Sequence, residues 1–290
     1  MTAVFRDYDQ VALDAAYDQT FWAANRDELL ASYADASARC RDRLGPPLHF
    51  AYGPTPAEGL DVFRAASDRA PVMIFVHGGA WRGGAAADYA FPAEMFVAAG
   101  VHYVALDFAA APDVGGDLRV MASQVQRAIL WLHDNAERFG GEPERLYLAG
   151  HSSGAHLAAV ALTADWRALG APPDIVKGGV LVSGMYDLHP VRLSSRSRYV
   201  AFDDNMVQRL SPIRHVDRLS APLTVAWGSR ESPEFIRQGR DFAAAVNAAA
   251  KPVEVLVAEG TNHFEMMATL SRADGLLGRA ALARIGSVRG

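Results

Sequence analysis

Short apolar segments of strand length alternate with longer amphipathic segments along most of this 290-residue chain, and no other feature constrains its fold as strongly. Segments such as 116–139 and 232–250 have the length and apolar spacing of helices. This alternation predicts an α/β fold, with a mostly parallel central sheet flanked by helices on both faces. The predicted strands are 49–52, 60–64, 72–77, 101–107, 146–149, 179–183, 223–227 and 253–258.

Two segments interrupt the alternation. Residues 1–44 have apolar side chains at helical spacing, and the Gly-Pro-Pro run at 45–47 stops that helix. Residues 185–220 lie between two predicted strands and contain prolines and a basic run, so they form either a cap insertion or a surface excursion without function. We expect both segments to belong to one domain that spans residues 1–290.

Composition and charge exclude several classes of protein and site. Half of the residues are hydrophobic and 21% are charged, a balance that buries a sizeable core. A net charge of −5 without a basic patch predicts no nucleic-acid partner. Cys40 is the only cysteine, which excludes an internal disulfide and a zinc ribbon. The sequence shows no signal-peptide pattern and no apolar run of membrane-spanning length, so we expect a cytoplasmic protein without a membrane partner.

The strongest chemical signal is Gly150-His151-Ser152-Ser153-Gly154, a G-x-S-x-G sequence between a predicted strand and a predicted helix. A strand that runs directly into a helix needs a sharp, strained turn, and the small glycines remove the clashes there. The serine at the apex projects its hydroxyl from the edge of the sheet. Ser152 is therefore the predicted nucleophile.

A second signal is the sequence His-Gly-Gly-Ala-Trp at 77–81, directly after the third predicted strand. Acyl transfer generates an oxyanion that preorganised N–H donors must stabilise. Glycines let the backbone turn freely and approach closely, so we expect Gly78 and Gly79 to supply two donors. The N–H of Ser153, at the start of the next helix, would be the third. A tight glycine turn or a phosphate loop is the alternative, but the Gly-Lys-Ser/Thr ending of such a loop is absent.

A third signal is a histidine after the last predicted strand. In hydrolases with a G-x-S-x-G turn the chain order is serine, acid, histidine, which makes His263 the predicted base. His151 and His156 lie close to Ser152 in sequence, but neighbours on a turn or helix are badly placed to accept its proton. We interpret both as packing or pocket residues.

Three carboxylates are candidates for the acid of this triad. Glu231 lies where the loop leaves the penultimate predicted strand, and it is preferred. Glu234 follows Pro233 and falls in a first helical turn, where a carboxylate is favourable without any catalytic role. Asp187, after the preceding strand, is the third candidate. A carboxylate that is not the acid is interpreted as a surface or helix-capping charge.

Taken in this order, the three motifs resemble the α/β-hydrolase fold, and in particular its esterase and lipase branch with an HGG sequence. The resemblance covers nearly the whole chain and places Glu231 at an acid position where aspartate is more common. The Asp-Phe-Ala-Ala-Ala-Pro loop at 107–112 departs from relatives that often carry Tyr and Arg there. Further stretches that resemble the arylformamidase (kynurenine formamidase) group are 8–17, 77–81, 183–188 and 232–238.

The resemblance implies a serine hydrolase that needs no metal or organic cofactor and acts on a small-molecule ester or amide. Its most similar group cleaves N-formyl aryl amines such as N-formylkynurenine, while a carboxylesterase for short-chain acyl or aryl esters is the alternative. A non-catalytic ligand receptor on the same fold is a third interpretation, although such receptors usually lose the serine or the histidine. The oligomeric state stays open, with a homodimer among the options.

Residues 1–44 contain five large apolar side chains that need a surface to bury against. Helices from later in the chain already supply the two faces of the sheet, which leaves the open edge above Ser152. We therefore expect this segment to form a helical N-terminal cap over the acyl pocket, where it restricts substrate size. The alternative is packing on the far side of the domain, with a purely stabilising effect. The five side chains are Leu13, Phe21, Trp22, Leu29 and Leu30.

Overall fold

Eight strands form one mixed sheet in the computed structural model, which describes residues 2–286. They are β1 (Leu48–Ala51), β2 (Gly59–Phe63), β3 (Ala70–Val76), β4 (His102–Leu106), β5 (Gly141–His151), β6 (Val176–Val182), β7 (Leu223–Gly228) and β8 (Val253–Ala258). Their order across the sheet is β1-β2-β4-β3-β5-β6-β7-β8. The β1–β2 and β2–β4 pairs are antiparallel, and all the others are parallel. The predicted mostly parallel sheet is confirmed.

Nine α-helices lie within the described range 2–286. They are α1 (Gln10–Ala16), α2 (Arg26–Leu44), α3 (Ala93–Ala98), α4 (Leu118–Asn135), α5 (Ser153–Leu162), α6 (Leu188–Arg192), α7 (Asp204–Arg209), α8 (Pro233–Ala248) and α9 (Leu276–Gly286). Within that same range, none has the length and apolar character needed to cross a membrane.

The core consists of two hydrophobic clusters on opposite faces of the sheet. Alternate side chains of β3 divide between them, because successive residues of a strand point to opposite faces: Ile74 belongs to one cluster and Phe75 to the other. Helices α1, α4, α5 and α8 contribute to the first cluster. Helices α2, α3 and α9 contribute to the second. Both faces are therefore covered by helices, and the carboxyl edge of the parallel strands is left for the site.

The bounds of most strands agree with the sequence predictions to within a few residues. β5 is the exception, since it has 11 residues and starts at Gly141 rather than at 146. Its first half carries charged residues and Pro143, which hide the strand pattern because that half projects partly into solvent. Only the apolar second half of β5 has the sequence pattern that predicts a strand.

The N-terminal segment departs from its predicted packing in two ways. Phe21 and Trp22 are 72% and 39% exposed, so the expectation that all five large apolar side chains are buried is wrong. Helix α2 also packs into the second cluster through Tyr33 and Cys40, so the assumption that later helices alone cover that face is wrong too. The segment therefore contributes to the hydrophobic core as well as to the edge of the sheet.

Candidate active site

The turn from β5 into α5 holds Ser152 in a strained backbone conformation. Its φ is 56° and its ψ is −122°, a region that L-residues rarely occupy. A Cβ on Gly150 would lie 2.6 Å from the carbonyl oxygen of Gly154, and one on Gly154 would lie 2.1 Å from that of Val76. The N–H of Ser152 donates to the carbonyl of Val182 at 2.8 Å. Both glycines are needed for the turn, which holds Ser152 at the edge of the sheet.

His263 and Glu231 form a buried pair after β8 and β7. Nδ1 of His263 is 2.9 Å from Oε2 of Glu231, and each residue is only 2% exposed. The other carboxylate oxygen accepts hydrogen bonds from the Ser183 hydroxyl at 2.5 Å and from the Gly228 N–H at 2.7 Å. These donors fix the carboxylate beside Nδ1, so Nε2 of the imidazole is the nitrogen left to accept a proton.

The other two candidate acids lie in different surroundings. Glu234 is buried and binds the guanidinium of Arg237 through both oxygens, at 2.8 and 2.7 Å. It also accepts the hydroxyl of Tyr17 at 2.8 Å. Asp187 caps the N-terminus of α6. Neither carboxylate bonds to His263 in the described part of the chain, so the preferred candidate is the one that the structure places beside the imidazole.

The glycine loop after β3 crosses directly in front of Ser152. A Cβ on Gly78 would lie 3.2 Å from the Cβ of Ser152. Gly79 has a φ of +133°, and a Cβ there would lie 1.9 Å from the carbonyl oxygen of Gly83. Within residues 2–286, the N–H groups of Gly78, Gly79 and Ser153 donate to no protein acceptor. Three unpaired donors beside a strained serine are suited to stabilising an oxyanion.

A cavity of about 680 Å³ opens over Ser152 and His263. This volume lies within the range of about 300–1,000 Å³ that is usual for small-molecule sites. Residues 17–20 and several side chains of 26–34 line it from the N-terminal segment, and residues of 195–199 line it from the predicted insertion. Both segments therefore lie over the edge of the sheet and limit the space around the serine.

The N-terminal segment also contacts the loop that carries His263. Asn25 accepts a hydrogen bond from the side-chain amide of Asn262 at 2.8 Å. Tyr33 donates its hydroxyl to the carbonyl of Phe264. The residues on both sides of His263 are thus held by side chains more than 200 positions earlier in the chain. Sequence reasoning missed this contact, because no local motif marks a polar residue that bonds to a distant loop.

The two histidines near Ser152 in sequence have other partners. Nε2 of His156 is 2.7 Å from the carbonyl of Leu210, and its Nδ1 accepts the indole N–H of Trp81 at 3.3 Å. Burial lowers the pKa of His156 to about 4. His151 lines the cavity with Nε2 2.9 Å from the carbonyl of His263, and burial followed by the nearby imidazole holds its pKa well below the usual value. Both are neutral at pH 7.

No group of three or more metal-ligating side chains occurs within the range 2–286. The cavity instead brings together a strained serine, a buried histidine–glutamate pair and unpaired backbone donors. These groups have the chemistry of acyl transfer through a serine nucleophile.

This chain is similar to several known proteins. The family model described as BD-FAE matches residues 60–170. Kynurenine formamidase of Danio rerio is 31% identical, over 94% of this chain and 96% of its own length. Esterase LipC of Mycobacterium tuberculosis is 33% identical, over 74% of this chain and 59% of its own length. Among solved structures, a putative thioesterase from Silicibacter superposes with a TM-score of 0.81, at 23% identity over 94% of this chain and 98% of its own.

These similarities differ in what they establish. The Silicibacter structure shares the fold alone, because its identity is low. The Danio rerio enzyme is similar over almost its whole length, and the relatives are hydrolases. This chain is accordingly a hydrolase with the α/β-hydrolase fold, and it belongs to the kynurenine formamidase family.

Proposed function

We propose that this chain removes the formyl group from N-formyl aryl amines such as N-formylkynurenine, without a metal or cofactor. The observation that carries the proposal is that the strained Ser152 and His263, which is buried and paired with Glu231, line the same cavity of small-molecule size. In this proposal Ser152 is the nucleophile, His263 the general base and Glu231 the acid that orients it.

In the first step, Oγ of Ser152 bonds to the formyl carbon while its proton passes to Nε2 of His263. The electron pair of the carbonyl moves onto its oxygen. The N–H groups of Gly78, Gly79 and Ser153 stabilise that charge, and they need no reorganisation because the loop and the helix already hold them in place. Removing one such donor typically costs about 10²–10³ in kcat.

In the second step, the carbon–nitrogen bond breaks and His263 gives its proton to the departing aryl amine. Water then attacks the formyl ester of Ser152 and passes a proton to His263, which returns it to the serine as formic acid leaves and ionises to formate in solvent. Glu231 stabilises the imidazolium in both halves of the cycle, since its Oε2 lies 2.9 Å from Nδ1.

The extent of the match with the Danio rerio enzyme supports a formamide rather than an ester as the substrate. That match covers 94% of this chain, so it must include part of residues 1–44, some of which line the cavity. The match with LipC covers 74% and need not include them. The esterase relative nevertheless makes a carboxylesterase for short acyl esters the second candidate.

The deciding experiment compares kcat/KM for N-formylkynurenine with that for p-nitrophenyl acetate, in the wild type and in Ser152→Ala. We expect the formamide to be the better substrate and the variant to lose both activities. Activity on the ester alone would favour the carboxylesterase. Binding of either compound without turnover would favour the ligand receptor.

We further propose that residues 1–44 restrict substrate size and belong to the same domain as the sheet. Side chains between positions 17 and 34 line the cavity, and Asn25 and Tyr33 bond to the His263 loop. Because the same segment buries Tyr33 and Cys40 in the core, we expect its removal to destabilise the protein as well as open the site.

A further inference from the structure

Arginine side chains accumulate around the cavity over Ser152, although the whole chain has a net charge of −5. Among residues 2–286, four arginines and two aspartates line that cavity. They are Arg26, Arg82, Arg196, Arg198, Asp18 and Asp88. The site thus has the opposite sign to the protein that contains it, which points to a negatively charged group on the ligand.

Arg196 is the unusual member of this set. It is only 7% exposed, yet no acidic side chain in the described chain forms an ion pair with it. Its guanidinium donates to the Tyr199 hydroxyl at 2.9 Å and to the carbonyl of Tyr17 at 2.8 Å, and it lies 5.5 Å from the Trp81 ring. Its Nε is buried without a hydrogen-bond partner. These contacts orient the guanidinium but do not neutralise it.

Arg237 is the other strongly buried arginine among the described residues, and its charge is paired. Arg237 is 9% exposed, and it is paired with both Glu234 and Asp241 at distances of 2.7 to 2.9 Å. A guanidinium taken out of water is costly unless it is paired, so Arg196 lacks the compensation that Arg237 has. An anionic ligand in the cavity would supply it.

A second arginine contacts the ring of the same tyrosine. The guanidinium of Arg82 is 4.9 Å from the centre of the Tyr199 ring and, within residues 2–286, has no acidic partner. The lining aspartates do not offset this pair: Asp18 accepts the N–H and hydroxyl of Thr20, and Asp88 forms no ion pair with an arginine in that range.

We propose that Arg196 and Arg82, which both contact Tyr199, form a subsite that binds a carboxylate of the substrate away from the bond that is cleaved. This proposal rests on the proposed hydrolysis at Ser152, since the same cavity holds both. A guanidinium fork binds a carboxylate with two parallel, charge-assisted hydrogen bonds, which are stronger where water is excluded. The subsite would select acidic acyl compounds over neutral ones of the same shape.

The test uses pairs of substrates that differ only in this charge. One pair is N-formylkynurenine and its methyl ester, and the other is 4-(2-acetoxyphenyl)-4-oxobutanoate and its methyl ester. We expect wild-type kcat/KM to be about tenfold higher for each acid, mainly through KM, which corresponds to one good charge-assisted interaction. Arg196→Gln should remove this preference, and Arg82→Gln should reduce it by about threefold because that side chain is exposed.

Arg192→Gln is the matched control, because Arg192 lies in the same insertion, is absent from the cavity and pairs with Asp204. It should leave the acid preference unchanged. Arg196→Lys retains the charge and should keep part of the preference, which separates a binding role from a folding role. Arg82→Gln alters only an exposed side chain, so it tests the subsite even if Arg196→Gln fails to fold.

Equal kcat/KM for acid and methyl ester in the wild type would overturn the subsite, as would a preference that survives both Gln substitutions. If the acetoxyphenyl pair is hydrolysed and the N-formyl pair is not, the proposed formamidase function is wrong. The acetoxyphenyl acid and its methyl ester then still test the subsite. If neither pair is hydrolysed, calorimetric titration of the acid and its methyl ester into wild type and Arg196→Gln decides it in the same way.

Discussion

At the carboxyl edge of the sheet, Ser152, Glu231 and His263 each follow a parallel strand within a few residues. The surface that covers this edge is assembled differently, from residues 17–34 of the N-terminal segment and residues 195–199 of the insertion between β6 and β7. The first region is positioned by the backbone ladder of five adjacent strands, β3, β5, β6, β7 and β8. The second is held by side-chain hydrogen bonds and by the packing of Tyr17 and Tyr33 in the two core clusters. We therefore expect the sheet edge to determine the chemistry and the covering surface to determine which substrates reach it.

The bonds that hold the covering surface converge on Tyr17. Its hydroxyl donates to Glu234 and accepts from Gln238, while its carbonyl accepts from Arg196. Burial, followed by the charge of Glu234, raises the pKa of Tyr17 well above its usual value, so the hydroxyl stays protonated and remains a donor. One residue thus joins the N-terminal segment, the insertion and α8.

The largest effect is expected at the nucleophile. Ser152→Ala should lower kcat by about 10⁴–10⁶, because the bond-forming atom is gone while no large cavity is created. Turnover of N-formylkynurenine and of p-nitrophenyl acetate measures the loss, and circular dichroism checks the fold. Activity within tenfold of the wild type would remove Ser152 from the mechanism.

The next largest effect is expected at Glu231, and it is compared with the effect at Glu234, a second buried glutamate only three positions away. Glu231→Gln should lower kcat by up to about 10⁴, since the amide cannot stabilise the imidazolium. Glu234→Gln should cost far less kcat but more stability, about 3–5 kcal/mol, because it leaves Arg237 with one fewer carboxylate in a buried site. Steady-state kinetics and urea unfolding of both variants should show opposite rankings. If the same variant lost more of both kcat and stability, the proposed division between a catalytic sheet edge and a covering surface would be wrong.

A smaller effect is expected where the covering surface contacts the loop that carries His263. Asn25→Ala removes the hydrogen bonds to Asn262 and Glu265, on either side of His263. We expect kcat to fall by about tenfold, the equivalent of one or two such bonds. Ser32→Ala is the control, because among residues 2–286 the side chain of Ser32 bonds only to the carbonyl of Leu29 in its own helix. An unchanged kcat in Asn25→Ala would show that the sheet edge positions His263 unaided.

The smallest effect concerns His156, which links α5 to Trp81 of the glycine loop and to Leu210 of the insertion. Burial lowers its folded-state pKa to about 4, so the unfolded chain binds a proton first as the pH falls below about 6.5. The contribution of His156 to stability should therefore decrease from about pH 6.5 down to pH 4, by about 2 kcal/mol between pH 7 and pH 5. Urea unfolding at the two pH values measures this, and His156→Gln should show a weaker dependence. An equal dependence in the variant would assign the effect to other groups.

The sheet edge could be predicted from the sequence because its determinants are local. Gly150 and Gly154 mark the turn at Ser152, since a Cβ at either position would collide with backbone. The parallel order of the strands then brings Glu231 and His263 to the same edge, although they lie 79 and 111 positions further along the chain. The stretch 183–188 is singled out by its resemblance to the arylformamidase group, but nothing in it predicts that the hydroxyl of Ser183 holds the carboxylate of Glu231 at 2.5 Å.

The covering surface could be predicted only in outline. The helical character of residues 1–44 agrees with α1 and α2, but the contacts between them depend on the rest of the fold. Gln19 turns inward and bonds to Ser232, while Phe21 and Trp22 turn outward. These residues lie in and beside a short 3-10 turn, where helical periodicity does not apply. Hydrophobicity alone therefore assigned the wrong side chains to the interior.

The most direct test of the division between the two regions is covalent labelling with a small organophosphonate. The rate of inactivation is followed in the wild type, Glu231→Gln and Glu234→Gln, and the labelled peptide is identified by mass spectrometry. We predict a single adduct on Ser152, formed much more slowly in Glu231→Gln and at nearly the wild-type rate in Glu234→Gln. An adduct on any other residue, or slower labelling in Glu234→Gln than in Glu231→Gln, would contradict the account.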